Sequence, residues 1–141
     1  MIDSFKDEFA FLSNFAQVTV SMYGVLYPSV EHAFQAAKTL DPVQRENIRL
    51  APTAGQAKRM GREVTLRPDW DEFRLVAMET LLRRKFAQQR LAVKLVATHP
   101  HELVEGNWWN DRFWGVCQGT GENHLGRLLM KVRNDLLTQQ Q

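Results

Sequence analysis

A single cysteine, Cys117, occurs in the 141 residues. It has no partner for an internal disulfide, and a reducing, cytosolic home is the expectation. No apolar run approaches the ~20 residues a membrane helix needs. The first residues, Met1 to Glu8, are charged and lack the apolar stretch of a secretion signal. A membrane is therefore excluded as a partner. The histidines, His32, His99, His101 and His124, have no metal-ligand spacing, so neither a metal nor another cofactor is expected. Gly-rich phosphate loops and nucleophile elbows are missing, as are repeats, low-complexity stretches and Gly/Ser/Pro linkers. These absences lead to one domain over residues 1–138, followed by a frayed tail at 139–141.

What is present is an ordinary globular composition, 44% hydrophobic and 24% charged. A chain of this length buries roughly two-thirds of its unfolded surface without staples. The formal charge of +2 is unevenly spread: net −3 over residues 1–44, +6 over 45–94 and −1 over 95–141. A basic middle third suits a phosphate, and a set of solvated helix faces would have the same composition.

Alternating Val18, Val20 and Met22 before Tyr23-Gly24 predict a β-hairpin within 17–27. Ser29 is a good N-cap for a helix to about Leu40, with Glu31 in its first turn. Asp41-Pro42 starts a second helix. Thr53-x-x-Gln56 is a capping box for a third, with Gly61 as its stop. Asp69 is placed to cap a long helix from Trp70 to about Gln88, whose Leu75, Met78, Leu82 and Phe86 make a core stripe. A further helix over 91–98 ends before Pro100. Short strands are expected at 102–105 and 113–116. Leu125, Leu128, Leu129, Val132 and Leu136 mark a closing amphipathic helix. The fold class is α+β, mainly α-helical, with a small sheet.

Four constellations carry polar chemistry. On the 29–40 helix, Glu31, Gln35 and Lys38 fall at i, i+4 and i+7, on one face, while Val30, Ala33, Phe34 and Ala37 cover the other side. The row is either a solvent-exposed polar ladder worth a few tenths of a kcal/mol or a catalytic face near a helix N-terminus. Asp111 and Trp114, beside Gly115, suit a cleft for a sugar or base, the ring offering a stacking surface; a turn with a core tryptophan would look the same. Ser13 and Asn14 sit between Phe11 and Phe15, as pocket-lining groups or a simple turn. Arg62 and Arg67 are each able to take a phosphate bidentately, or to serve surface ion pairs.

Taken in order, these segments resemble the YbiA/NADAR family. The matching strings are Phe11-Leu-Ser-Asn-Phe15, Tyr27-Pro-Ser-Val-Glu-His-Ala-Phe-Gln-Ala-Ala-Lys38, Met60-Gly-Arg62, Arg67-Pro-Asp-Trp70, Lys85-Phe86, Asp111-x-x-Trp114-Gly115 and Asn123-x-Leu-Gly-x-Leu-Leu-Met130. They run through almost the whole chain, and the second is the most specific. The Trp108-Trp109 pair is not recognised as a family feature. The resemblance implies an N-glycosidase on a compact, mainly helical α+β fold, acting without a cofactor. Its substrate would be a small ribosylamino compound: a phosphoribosylamino-pyrimidine of early riboflavin biosynthesis, cleaved to ribose 5-phosphate and the free amino-pyrimidine. The alternative within the family is removal of ADP-ribose from guanine in nucleotides or DNA, and a further alternative is a module that binds ADP-ribose without cleaving it.

Carried over position by position, the resemblance makes Glu31 the catalytic acid, with Lys38 and Asp111 beside it in the reaction and Trp114 in the pocket. Ser13, Asn14, Gln35, Arg62, Arg67, Trp70 and Asn123 are expected around the substrate. Breaking a ribosyl C–N bond builds positive charge on the sugar, which a carboxylate stabilises. Lys38 either sets the charge state of Glu31 and attracts phosphate, or attacks C1 of a ring-opened ribosylamine to form a Schiff base.

Overall fold

Side-chain caps start the early helices where the sequence places them. The computed structural model describes residues 1–139. The Ser29 hydroxyl accepts from the His32 backbone N–H at the head of α1 (Val30–Ala37). Asp41 does the same for Val43 in α2 (Pro42–Arg49), and Thr53 for Gln56 in α3 (Ala54–Met60). Each satisfies one of the N–H groups that a helix start leaves without an internal partner.

The chain forms two compact units: a central one, Asn14–Lys85, and a terminal one made of Met1–Ser13 and the chain from Phe86 onward. A single domain over 1–138 is what the composition alone leads one to expect. The central unit holds β1 (Val20–Met22) and β2 (Val25–Tyr27), paired antiparallel with Val20 opposite Tyr27. Tyr23 and Gly24 join them with φ of 52° and 76°, the two positive values that a tight hairpin turn takes. α1 is packed by α2, α3 and both strands. The long helix α4 (Trp70–Phe86) runs to the end of this unit.

The terminal unit begins with a 3-10 helix, Asp7–Leu12, which the sequence patterns do not announce. Its helices are α5 (Gln89–Val96) and α6 (His124–Gln139), in contact with each other. β3 (Gly106–Asn107) and β4 (Val116–Cys117) form a parallel pair, and Ile2 bridges to Leu103. Gln139 closes α6; residues 140 and 141 of the expected tail lie outside the described residues. The class is mainly helical α+β.

Four local expectations are corrected. α1 stops at Ala37 rather than Leu40, because Thr39 turns out of the helix: its hydroxyl donates to Gln44 and accepts from the Asp41 N–H. The Lys38 carbonyl accepts from the Arg67 N–H at 2.7 Å. In α4 the buried face is Ala77, Met78, Leu81, Leu82, Lys85 and Phe86, whereas Leu75 is 36% exposed. No strand forms over 102–105, where Leu103 makes only an isolated bridge to Ile2, and the strand expected at 113–116 is displaced: the paired strands are the two-residue β3 and β4, at Gly106–Asn107 and Val116–Cys117. Asn107 and Asn123 side chains take backbone bonds there that a longer ladder would use. Finally, Gly61 has φ −62°, so it does not stop α3 by a left-handed cap.

Candidate active site

All eight residues of α1 are buried, including Glu31, His32 and Gln35. The solvent-exposed ladder is therefore not what the polar row forms. Two features aim it. The Ser29 cap fixes the helix start, and the Glu31 N–H donates to the Asn14 carbonyl at 3.1 Å. His32 faces another way. Its Nε2 donates to the Ala51 carbonyl at 3.0 Å and its Nδ1 meets the Ser29 hydroxyl at 2.7 Å, so it ties the cap to the segment after α2.

The Gln35 Nε2 donates to Glu31 Oε1 at 2.8 Å. Its other amide atom, Oε1, lies against Gly61, where a Cβ would stand 1.8 Å away. The amide can turn over only by placing its oxygen against the carboxylate. Gly61 thus leaves the room in which the Gln35 amide sits while its Nε2 donates to Glu31. Asn14, also buried, gives its amide to Met78 Sδ at 3.6 Å. Asn14 Oδ1 and Gln35 Oε1 are buried acceptors with no protein donor. Such groups are uncommon in native proteins and ask for a reason.

Lys38 follows at the C-cap of α1, half-buried. Burial pushes its pKa below the ordinary lysine value, Glu31 pulls it back up, and the neighbouring Arg62 and Lys58 push it down again. Lysines used as nucleophiles are shifted in the same direction. Arg62 is exposed, and among the described residues it has no carboxylate partner. Arg67 is committed: its Nε meets Asp69 at 2.7 Å and its guanidinium lies 4.0 Å from the centroid of the Phe73 ring. Of the two expected phosphate holders, Arg62 is the one left available. Trp70 is buried, its ring 5.1 Å from that of Phe34; it packs behind α1.

The remaining expected residues belong to the terminal unit. Ser13 ends the 3-10 helix, its N–H on the Ala10 carbonyl. Asp111 Oδ1 accepts from the Phe113 and Trp114 N–H groups at 3.2 and 3.0 Å. Asn107, which sequence reasoning missed, closes this loop with bonds in both directions to the Asp111 backbone. Trp114 is half-buried and stands edge-on to Phe113 at 4.8 Å. Asn123 spends its amide on the Leu103 carbonyl and the Glu105 N–H, a clamp on the backbone. Trp108 is 80% exposed, its ring perpendicular to that of Trp109.

The structure brings Asn14, Glu31, Gln35, Lys38 and Arg62 together, and Asp111 with Trp114 on one turn. Sequence reasoning missed Lys58 and the spatial role of Gly61. The signal for Gly61 was a motif glycine whose only local reading was a helix stop. Among the described residues no group of His, Cys, Asp and Glu is placed to hold a metal, and no helix is long and apolar enough to cross a membrane.

N-glycosidase YbiA of Shigella sonnei is 42% identical over 94% of this chain and 85% of its own length. A riboflavin biosynthesis protein of Vibrio vulnificus is 41% identical over 89% of this chain, which spans 35% of that longer protein. The NMR structure of the Escherichia coli protein YbiA superposes with a TM-score of 0.86 at 38% identity, covering 99% of this chain and 89% of that one. The model of the NADAR domain matches residues 3–137, and the chain belongs to that family.

Proposed function

We propose that the chain hydrolyses the C–N bond joining ribose 5-phosphate to an amino-pyrimidine, of the kind formed early in riboflavin biosynthesis. That it is a hydrolase of N-glycosyl bonds rests on its family and on relatives named N-glycosidase at 42% identity. The observation that carries the chemistry is the row of buried Glu31 and Gln35 on α1 with the half-buried Lys38 at its C-cap. Glu31, held by Gln35, offers a carboxylate to the charge that develops on the ribose as the C–N bond breaks. The Lys38 amine, its pKa lowered by burial, adds to C1 of a ring-opened ribosylamine; the C1–N bond to the amino-pyrimidine then breaks, the amino-pyrimidine leaves with a proton, and water hydrolyses the resulting Schiff base to ribose 5-phosphate and free lysine. Arg62 is the cation for the phosphate. For Asp111 and Trp114 the roles come from the family resemblance, with Trp114 offering its ring to the base or ribose.

The pyrimidine substrate is preferred because two relatives are named for riboflavin biosynthesis. The test is side-by-side incubation with a phosphoribosylamino-pyrimidine and with ADP-ribosylated guanosine, using Glu31→Gln as the blank. Release of ribose 5-phosphate from the first by the wild type alone supports the reading. Cleavage of the second compound only assigns the protein to removal of ADP-ribose instead.

A further inference from the structure

The terminal unit contains a cleft that the proposed reaction does not use. Its volume is about 540 Å³, within the range of small-molecule pockets. Ile2, Phe9 and Phe11 provide apolar walls, and Glu8, Lys94, Thr98 and His101 are the polar groups around them.

A buried cation stands behind one wall. Arg133 of α6 is only 4% exposed. Its guanidinium donates to the Thr98 hydroxyl at 3.0 Å and to the His101 carbonyl at 2.7 Å, both on residues that line the cleft. Its Nε is buried with no acceptor. Among the described residues no carboxylate pairs with Arg133. Arginine keeps its proton in proteins, so this wall carries fixed positive charge taken out of water without a counter-ion, an arrangement that is costly when left uncompensated. Lys94 supplies a second cation. Its ammonium lies 5.7 Å from the centroid of the Phe11 ring and makes no ion pair with Glu8, the one carboxylate in the lining. The cleft thus combines aromatic walls with more positive than negative charge.

We infer that this cleft is a binding site for a small aromatic anion. The flat apolar body would lie on Phe9 and Phe11. Its carboxylate, sulfonate or phosphate would face Lys94 and the Thr98–His101 wall, where it offsets the Arg133 charge.

Two fluorescent dyes of nearly the same shape test the inference on the intact protein: anilinonaphthalene sulfonate and its uncharged parent, phenylnaphthylamine. The sulfonate is expected to bind saturably, one per chain, about tenfold or more tightly than the neutral dye. Lys94→Glu should weaken the sulfonate about tenfold and leave the neutral dye unchanged. Ala97 lines the cleft from an exposed position, so Ala97→Trp should fill it and weaken both dyes. Sulfonate binding that survives Ala97→Trp would place the dye elsewhere and overturn the site. Equal affinity for the two dyes, or no response to Lys94→Glu, would overturn the anion.

Discussion

The Oε1 of Gln35 occupies the space in which a side chain at position 61 would stand: a Cβ on Gly61 falls 1.8 Å from it. The φ of Gly61 is −62°, a value open to any residue. What this glycine supplies is room. The Gln35 amide fills that room on one side and donates to the Glu31 carboxylate at 2.8 Å on the other.

Gly61→Ala should therefore act on the reaction through Gln35. The added methyl displaces the amide from Glu31, and a loss of positioning at that scale costs roughly tenfold or more in kcat/KM. Overpacking should lower stability by about 1–3 kcal/mol. In a Gln35→Ala background the clash with the amide is gone and only a tight approach to the Cβ of residue 35, at 3.1 Å, remains, so the same substitution should have little further effect on activity. Steady-state hydrolysis by the two single variants and the double variant measures this coupling. Additive losses would show that Gly61 acts by another route.

This pair marks the limit of what the sequence reveals. The caps at Ser29, Asp41 and Thr53 were legible because N-capping is local: the hydroxyl or carboxylate reaches only two or three residues ahead. The spacing of Glu31, Gln35 and Lys38 was legible because helical periodicity puts them on one face. Whether that face meets water was not, since it depends on α2, α3, β1 and β2 closing around α1. The contact of Gly61 with Gln35 spans 26 residues of sequence and follows no period. The stripe on α4 went partly wrong for the same reason. Lys85 is buried and Leu75 exposed, an order that hydrophobicity alone reverses.

Glu31→Gln keeps the volume of the side chain and removes its charge. Hydrolysis should fall by about 10²–10⁴-fold, the usual range for a general acid–base group, with an unchanged far-ultraviolet circular dichroism spectrum. A variant that retains most of its activity rules out Glu31 as the catalytic carboxylate.

Lys38 should respond to its neighbours in opposite directions. Arg62 lowers its pKa and Glu31 raises it. Arg62→Ala is thus expected to move the Lys38 pKa up, and Glu31→Gln to move it further down. Reductive methylation of the amine followed by an NMR titration reads both shifts. If the amine is the nucleophile, borohydride added during turnover should leave a ribosyl adduct on Lys38. Absence of any adduct under turnover conditions would argue for direct attack by water.

Trp114 tests the part that the family resemblance assigns to the terminal unit. Loss of a stacking surface should raise KM for Trp114→Ala more than it lowers kcat. An unchanged KM with a lower melting temperature would make the ring a packing element against Phe113 and His124.

Lys85 carries the clearest pH prediction. The side chain is fully buried, and burial pushes its pKa from 10.5 down to about 7. An unfolded chain holds this proton up to the ordinary lysine range, whereas the folded chain releases it from about 7 upward. Over that window the unfolded state binds more protons, so the contribution of Lys85 to stability improves as pH rises. Below about 7 both states are charged and the contribution of Lys85 no longer changes with pH. The stability of Lys85→Met relative to wild type should then be highest at about pH 6 and fall by at least about 1 kcal/mol by about pH 10. Urea unfolding of the two proteins across this range gives the difference directly. A constant difference would mean that the lysine titrates alike in the folded and unfolded states.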